Sequence, residues 1–160
     1  MSVEEKLEEL GLTPPEAPKA PPGLQVSFAW VRVHGDRGYI SGHGPQNPDG
    51  SIAEPLGKVG ADVSPERGYE LARLTALSAL GSLKRELGDL DRVSAWLMVH
   101  GMVNAVPDFA QTTNVINGFS DLIVELYGPE AGTHARMAPG EATLPLGMPL
   151  VIGAEVAISG

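Results

Sequence analysis

The chain has 160 residues, 42% of them hydrophobic, and a formal net charge of −9 from 11 Lys and Arg against 20 Asp and Glu. This length suits one domain with a sizeable core, and the acidic balance argues against nucleic acid as the main partner, because phosphate contacts need a basic surface. There is no cysteine, which excludes disulfides and thiol catalysis and fits a reducing, cytoplasmic setting.

The apolar stretches are too short to cross a bilayer, so no membrane partner is expected. The opening MSVEEKLEEL lacks the basic and apolar regions of a signal peptide. Instead it reads as a short helix. Ser2 and Glu5 form a capping box, Val3, Leu7 and Leu10 recur at helical spacing, and Gly11 stops the run. The proline-dense TPPEAPKAPP (13–22) follows and reads as an extended tether. Residues 1–22 are therefore expected to form an arm, and 23–160 a single domain.

That domain opens with LQVSFAWVRVHGDRGYISG. Here Val26, Phe28, Trp30 and Arg32 alternate with their neighbours, and Gly35-Asp36 supplies the turn of a β-hairpin. After a Gly/Pro-rich loop, Ser64-Pro65 starts a helix carrying a leucine stripe from Leu71 to Leu87, and Gly88 ends it. VSAWLMVHGMV (93–103) is a nearly continuous apolar run, as in a central strand. A second helix is expected from Pro107 to about Glu125, with Phe109, Val115, Ile116, Phe119, Leu122 and Ile123 inward. Strands over 134–143 and 150–158 close the chain. This order predicts an α/β (α+β) domain: one mixed sheet with two helices on one face. The other sheet face has no element to cover it, so self-association is expected.

Four histidines, His34, His43, His100 and His134, show no metal-ligand spacing, so no metal site is expected. His43, in SGHGP, is a titratable group able to act as a general base near neutral pH. The alternative reading is a loop histidine in water.

Three segments have a further reading: YISGHGPQNPDG (39–50), VINGFSDLI (115–123) and HARMA…LPLG (134–147). Their order and spacing resemble the Rid family, also called YjgF-type proteins, over about residues 24–158. Within it, the N-terminal helix and GKVGADVSPERGYELARL (57–74) are most like one branch. The resemblance implies a chorismate-mutase-like fold, a homotrimer, and a ligand site at each subunit interface. It also implies hydrolysis of 2-imino or enamino acids to 2-keto acids and ammonia, without a cofactor. Other members of the family were described as endoribonucleases or translation inhibitors.

Carried over residue by residue, Arg136 would hold a substrate carboxylate through paired charge-assisted hydrogen bonds. Ser41 and Gly42 would edge the pocket, Asn117 would orient an imine or a water, and the backbone of Met137 and Ala138 would face the ligand. Two positions depart from the pattern. The family's water-positioning glutamate aligns with Val151, and its pocket tyrosine aligns with Phe28. Glu155, the next carboxylate on that strand face, lies about 13 Å further along. The departures weaken the expectation of hydrolysis and leave that of carboxylate binding, so a non-catalytic trimer that binds a small carboxylate is the alternative.

Overall fold

The computed structural model describes all residues, 1–160. Helix α1 spans Val3–Glu9, strand β1 Val31–His34, β2 Arg37–His43, helix α2 Pro65–Leu87, β3 Val93–Asn104, helix α3 Thr112–Gly132, β4 Ala135–Met137, β5 Gly140–Glu141 and β6 Leu150–Ile158. The sheet runs β1-β2-β6-β3-β4, and β5 also pairs with β3. β4 and β5 lie parallel to β3 and the other pairs are antiparallel, so the sheet is mixed. α2 and α3 pack side by side on one face.

Local chemistry sets the α2 boundaries. The Ser64 hydroxyl accepts from the Arg67 amide, Pro65 takes the first turn, and Gly88 ends the helix at φ 80°. The core lies between the helix pair and one sheet face. Trp96 sits there with Phe119 and Tyr127, at ring-centroid distances of 5.9 and 5.7 Å. Gly101 leaves room for Ile116, and Gly118 lets α3 approach the α2 backbone at Tyr69. On the opposite face, Met98, His100 and Met102 of β3 and Glu155 of β6 are only half-buried.

Four expectations change. The arm is packed against the domain: Val3 and Leu7 belong to the main core, the Lys6 ammonium donates to the Leu126 carbonyl, and the Glu16 and Lys19 amides donate to the Pro48 and Gly50 carbonyls. The first strand begins at Val31, five residues after Val26, because β2 pairs only with 31–34. α3 begins at Thr112, since Pro107-Asp108 form a turn and 109–111 are irregular, and it continues past Glu125 to Gly132 through a break at Gly128-Pro129. The expected strand 134–143 is split in two at Ala138-Pro139, where proline has no amide to donate.

Candidate functional site

Arg136 lies on β4, paired with Val99 of β3, and its side chain reaches over α3. Thr113, Asn117 and Ser120 stand four and three residues apart there, hence on one helix face. Nη1 donates to Asn117 Oδ1 and to Ser120 Oγ, both at 2.9 Å, and Nη2 donates to the Thr113 carbonyl at 3.2 Å. All three acceptors are neutral, and Arg136 is in none of the chain's ion pairs. Of the five guanidinium N–H groups, one on Nε and one on Nη2 have no partner. Partial burial pulls the pKa of Arg136 down while the Asp121 carboxylate raises it; the group remains a cation.

A relay supports this arginine. The His134 Nδ1 faces the Gly132 carbonyl at 2.7 Å. A carbonyl only accepts, so Nδ1 carries the proton and Nε2 accepts from the Ser120 hydroxyl at 2.8 Å. Ser120 thus fixes Arg136 and is itself fixed by a neutral imidazole. Burial lowers the pKa of His134, and Arg136 lowers it further. Asn117 and Arg136 are thus together, as the resemblance implies. Ser120 escaped the sequence reading, although its three-residue spacing from Asn117 was a signal.

The remaining candidates gather elsewhere, where β2 ends and β6 begins. The Ser41 hydroxyl donates to the Ala29 carbonyl at 2.7 Å and its amide to the Trp30 carbonyl, which ties down the segment before β1. A Cβ on Gly42 would lie 2.6 Å from Val151 Cγ1, so packing on Val151 already demands glycine there. Phe28 is 56% exposed and stands edge-on to Trp30, which tilts against the His43 ring; both centroid distances are 5.0 Å. Phe28, Gly42, His43 and Val151 line one cavity of about 250 Å³.

His43 is neither a loop histidine in water nor an available base. It is 1% exposed. Nδ1–H donates to the Ser41 carbonyl at 2.6 Å and Nε2 accepts from Ser82 at 2.8 Å, while Arg85 donates to the Ser82 oxygen. The order Arg–Ser–His–carbonyl is the one seen at Arg136. Burial, with a smaller push from Arg85, lowers the pKa of His43 to about 4. With both ring nitrogens committed, His43 is a positioning group. Met137 is exposed and Ala138 half-buried, and both follow Arg136 at the sheet edge.

The two groups do not meet within one chain. β4 lies three strands from β2, roughly 14 Å at ordinary strand spacing. Arg136 is on the helix-covered side, whereas Val151, paired with Met102 and next to the core residue Ile152, points to the other.

Residues 31–154 match the family model described as "YjgF/chorismate mutase-like, putative endoribonuclease". Protein TCP17 of Trypanosoma cruzi is 36% identical over 157 residues, covering 98% of this chain and 94% of that protein. The solved structure of Atu1372 from Agrobacterium tumefaciens, of unknown function, is 35% identical, with a TM-score of 0.85 over 98% of this chain and 92% of that one. A protein from Shewanella oneidensis described as a "putative endoribonuclease" is 28% identical, with a TM-score of 0.88 over 99% of this chain and 100% of that one. The chain belongs to the YjgF/Rid family, and its fold is the α+β fold of that family.

Proposed function

We propose that copies of this chain associate through the uncovered sheet face into a homotrimer. In that assembly the Arg136 cluster of one copy meets the Phe28–Gly42–Val151 cavity of the next and makes a site for a small carboxylate-bearing metabolite. The observation that carries this reading is the state of Arg136: a guanidinium fixed by three neutral acceptors, with two N–H donors free and no anion paired to it. A carboxylate is the planar, two-oxygen acceptor that suits such a donor set. Family membership supports the reading, and so does the incompleteness of either cluster alone.

The proposed reaction is hydrolysis of a 2-imino or enamino acid to the 2-keto acid and ammonia. Arg136 holds the carboxylate, Asn117 orients the imine or the water, and backbone groups at Gly42 and Ala138 complete the cradle. A protonated imine carbon is already electrophilic, so no cofactor is needed. A second reading, binding without turnover, is favoured by Val151: its hydrocarbon stands where a water-positioning carboxylate would be expected, and no acidic residue lines the cavity. RNA is the least suitable substrate, given 11 basic against 20 acidic residues.

Calorimetry with 2-oxobutanoate and ammonia release from freshly generated 2-iminobutyrate separate these readings. The wild type is expected to bind the keto acid, and Arg136→Ala to bind it at least about ten-fold more weakly, as for loss of hydrogen bonds to a charged group. Ammonia release above background that Arg136→Ala abolishes supports hydrolysis; binding without release supports the second reading. Equal binding by wild type and variant would overturn the carboxylate site itself.

A further inference from the structure

The cavity beside Val151 has a wall that the sequence did not suggest. The proline-rich arm folds back along the 47–50 turn. The Glu16 amide donates to the Pro48 carbonyl and the Lys19 amide to the Gly50 carbonyl, both at 3.0 Å. The buried Gln46 carboxamide donates to the Glu16 and Gly50 carbonyls, at 3.2 Å each, and clamps arm and turn together. Gly50, at φ +90°, allows this closeness: a Cβ there would lie 2.1 Å from the Ala17 carbonyl oxygen. So held, the arm contributes Pro18 and Pro21 to the cavity, which Leu24, Phe28, Met148 and Val151 also line.

From these walls we infer that the site takes a carboxylate with a bulky, uncharged, apolar tail, either branched alkyl or aryl, in preference to a two- or three-carbon one. The inference rests on the reading that a second copy supplies Arg136 to hold the carboxylate. The volume supports it: cavities of about 150 Å³ already admit a benzene ring, and this one measures about 250 Å³. The chemistry supports it as well. The imidazole of His43 is spent on Ser41 and Ser82 and the Gln46 Nε2 on the Glu16 and Gly50 carbonyls, which leaves the Gln46 side-chain oxygen buried without a partner, while Lys19 and Gln25, also in the lining, are exposed to water. A small keto acid would leave this hydrocarbon surface wetted, whereas a branched or aromatic tail removes it from water. Val151 then has a positive role. A carboxylate at that position would impose a desolvation cost on any apolar tail, and valine removes that cost.

The test is a titration series by calorimetry, using pyruvate, 2-oxobutanoate, 4-methyl-2-oxopentanoate and phenylpyruvate. Burying hydrocarbon strengthens binding about four-fold per methylene, so 4-methyl-2-oxopentanoate is expected to bind at least about ten-fold tighter than pyruvate. Gly50→Ala, which pushes the arm off its turn, and Phe28→Ala, which removes an exposed wall, are each expected to flatten the series by weakening the two large ligands several-fold more than pyruvate. Phe28→Ala keeps the test open should Gly50→Ala fail to fold. A flat or inverted series that still depends on Arg136 overturns this inference and leaves the carboxylate reading standing. A steep series that neither variant flattens overturns the role of the arm and of Phe28. Failure of all four ligands to bind the folded wild type overturns both readings.

Discussion

His43 and His134 use one device: a neutral imidazole whose Nδ1–H is spent on the carbonyl two residues back, while Nε2 accepts from a serine that in turn accepts from an arginine. Each imidazole orients a hydroxyl and thereby a guanidinium. The cost falls at low pH. The folded pKa of His43 is about 4 against about 6.5 for an unperturbed histidine. Between those values the unfolded chain takes up a proton that the folded chain refuses, so stability is intact above pH 6.5 and drains away as pH falls toward 4. The full difference is worth about 3 kcal/mol. Urea midpoints for the wild type are therefore expected to fall steeply from pH 6.5 to 4.5, and those of His43→Gln to fall less; parallel curves would contradict this account. The family resemblance, not composition or spacing, singled out Arg136 and Asn117, which the structure joins by a hydrogen bond, and neither source foresaw the burial of His43. Its burial depends on Ser82 and Trp30, which approach from other elements and leave no trace in the SGHGP motif.

At the level of elements, boundaries written in local chemistry were readable and those set by distant partners were not. Ser64-Pro65 and Gly88 delimit α2, as their capping roles predict. Ala138-Pro139 breaks a strand that apolar alternation alone would continue. The arm is the largest departure, because proline density predicts extension but says nothing about what the extended chain lies against. Its helix is fastened from several sides. The Val3 amide donates to Asp91 Oδ1, the Glu4 carboxylate accepts from Lys84 and from the Leu90 amide, and Leu7 is 3% exposed. Leu7→Ala is accordingly expected to destabilise the whole domain by about 2–4 kcal/mol, as for a truncated core leucine, seen as one cooperative shift in the urea midpoint. A free tether would tolerate the change with none.

For the whole molecule, the decisive asymmetry is a sheet covered on one face only. Met98, His100 and Met102 lie half-buried on the bare face, and a second copy is the partner that symmetry offers. Light scattering coupled to size exclusion is expected to report three times the chain mass of 16.7 kDa, and Met98→Glu to shift that mass toward one chain; a wild-type monomer at micromolar concentration would contradict the proposed assembly. The two tryptophans divide the molecule in a useful way. Trp96 is sealed in the core with Phe119 and Tyr127, and Trp30 stands at the cavity against His43. The chain thus carries two indole fluorophores with separate jurisdictions. Emission from Trp96 follows the fate of the fold, and in the folded protein emission from Trp30 follows whatever enters beside the arm, so replacing either indole with phenylalanine isolates the signal of the other.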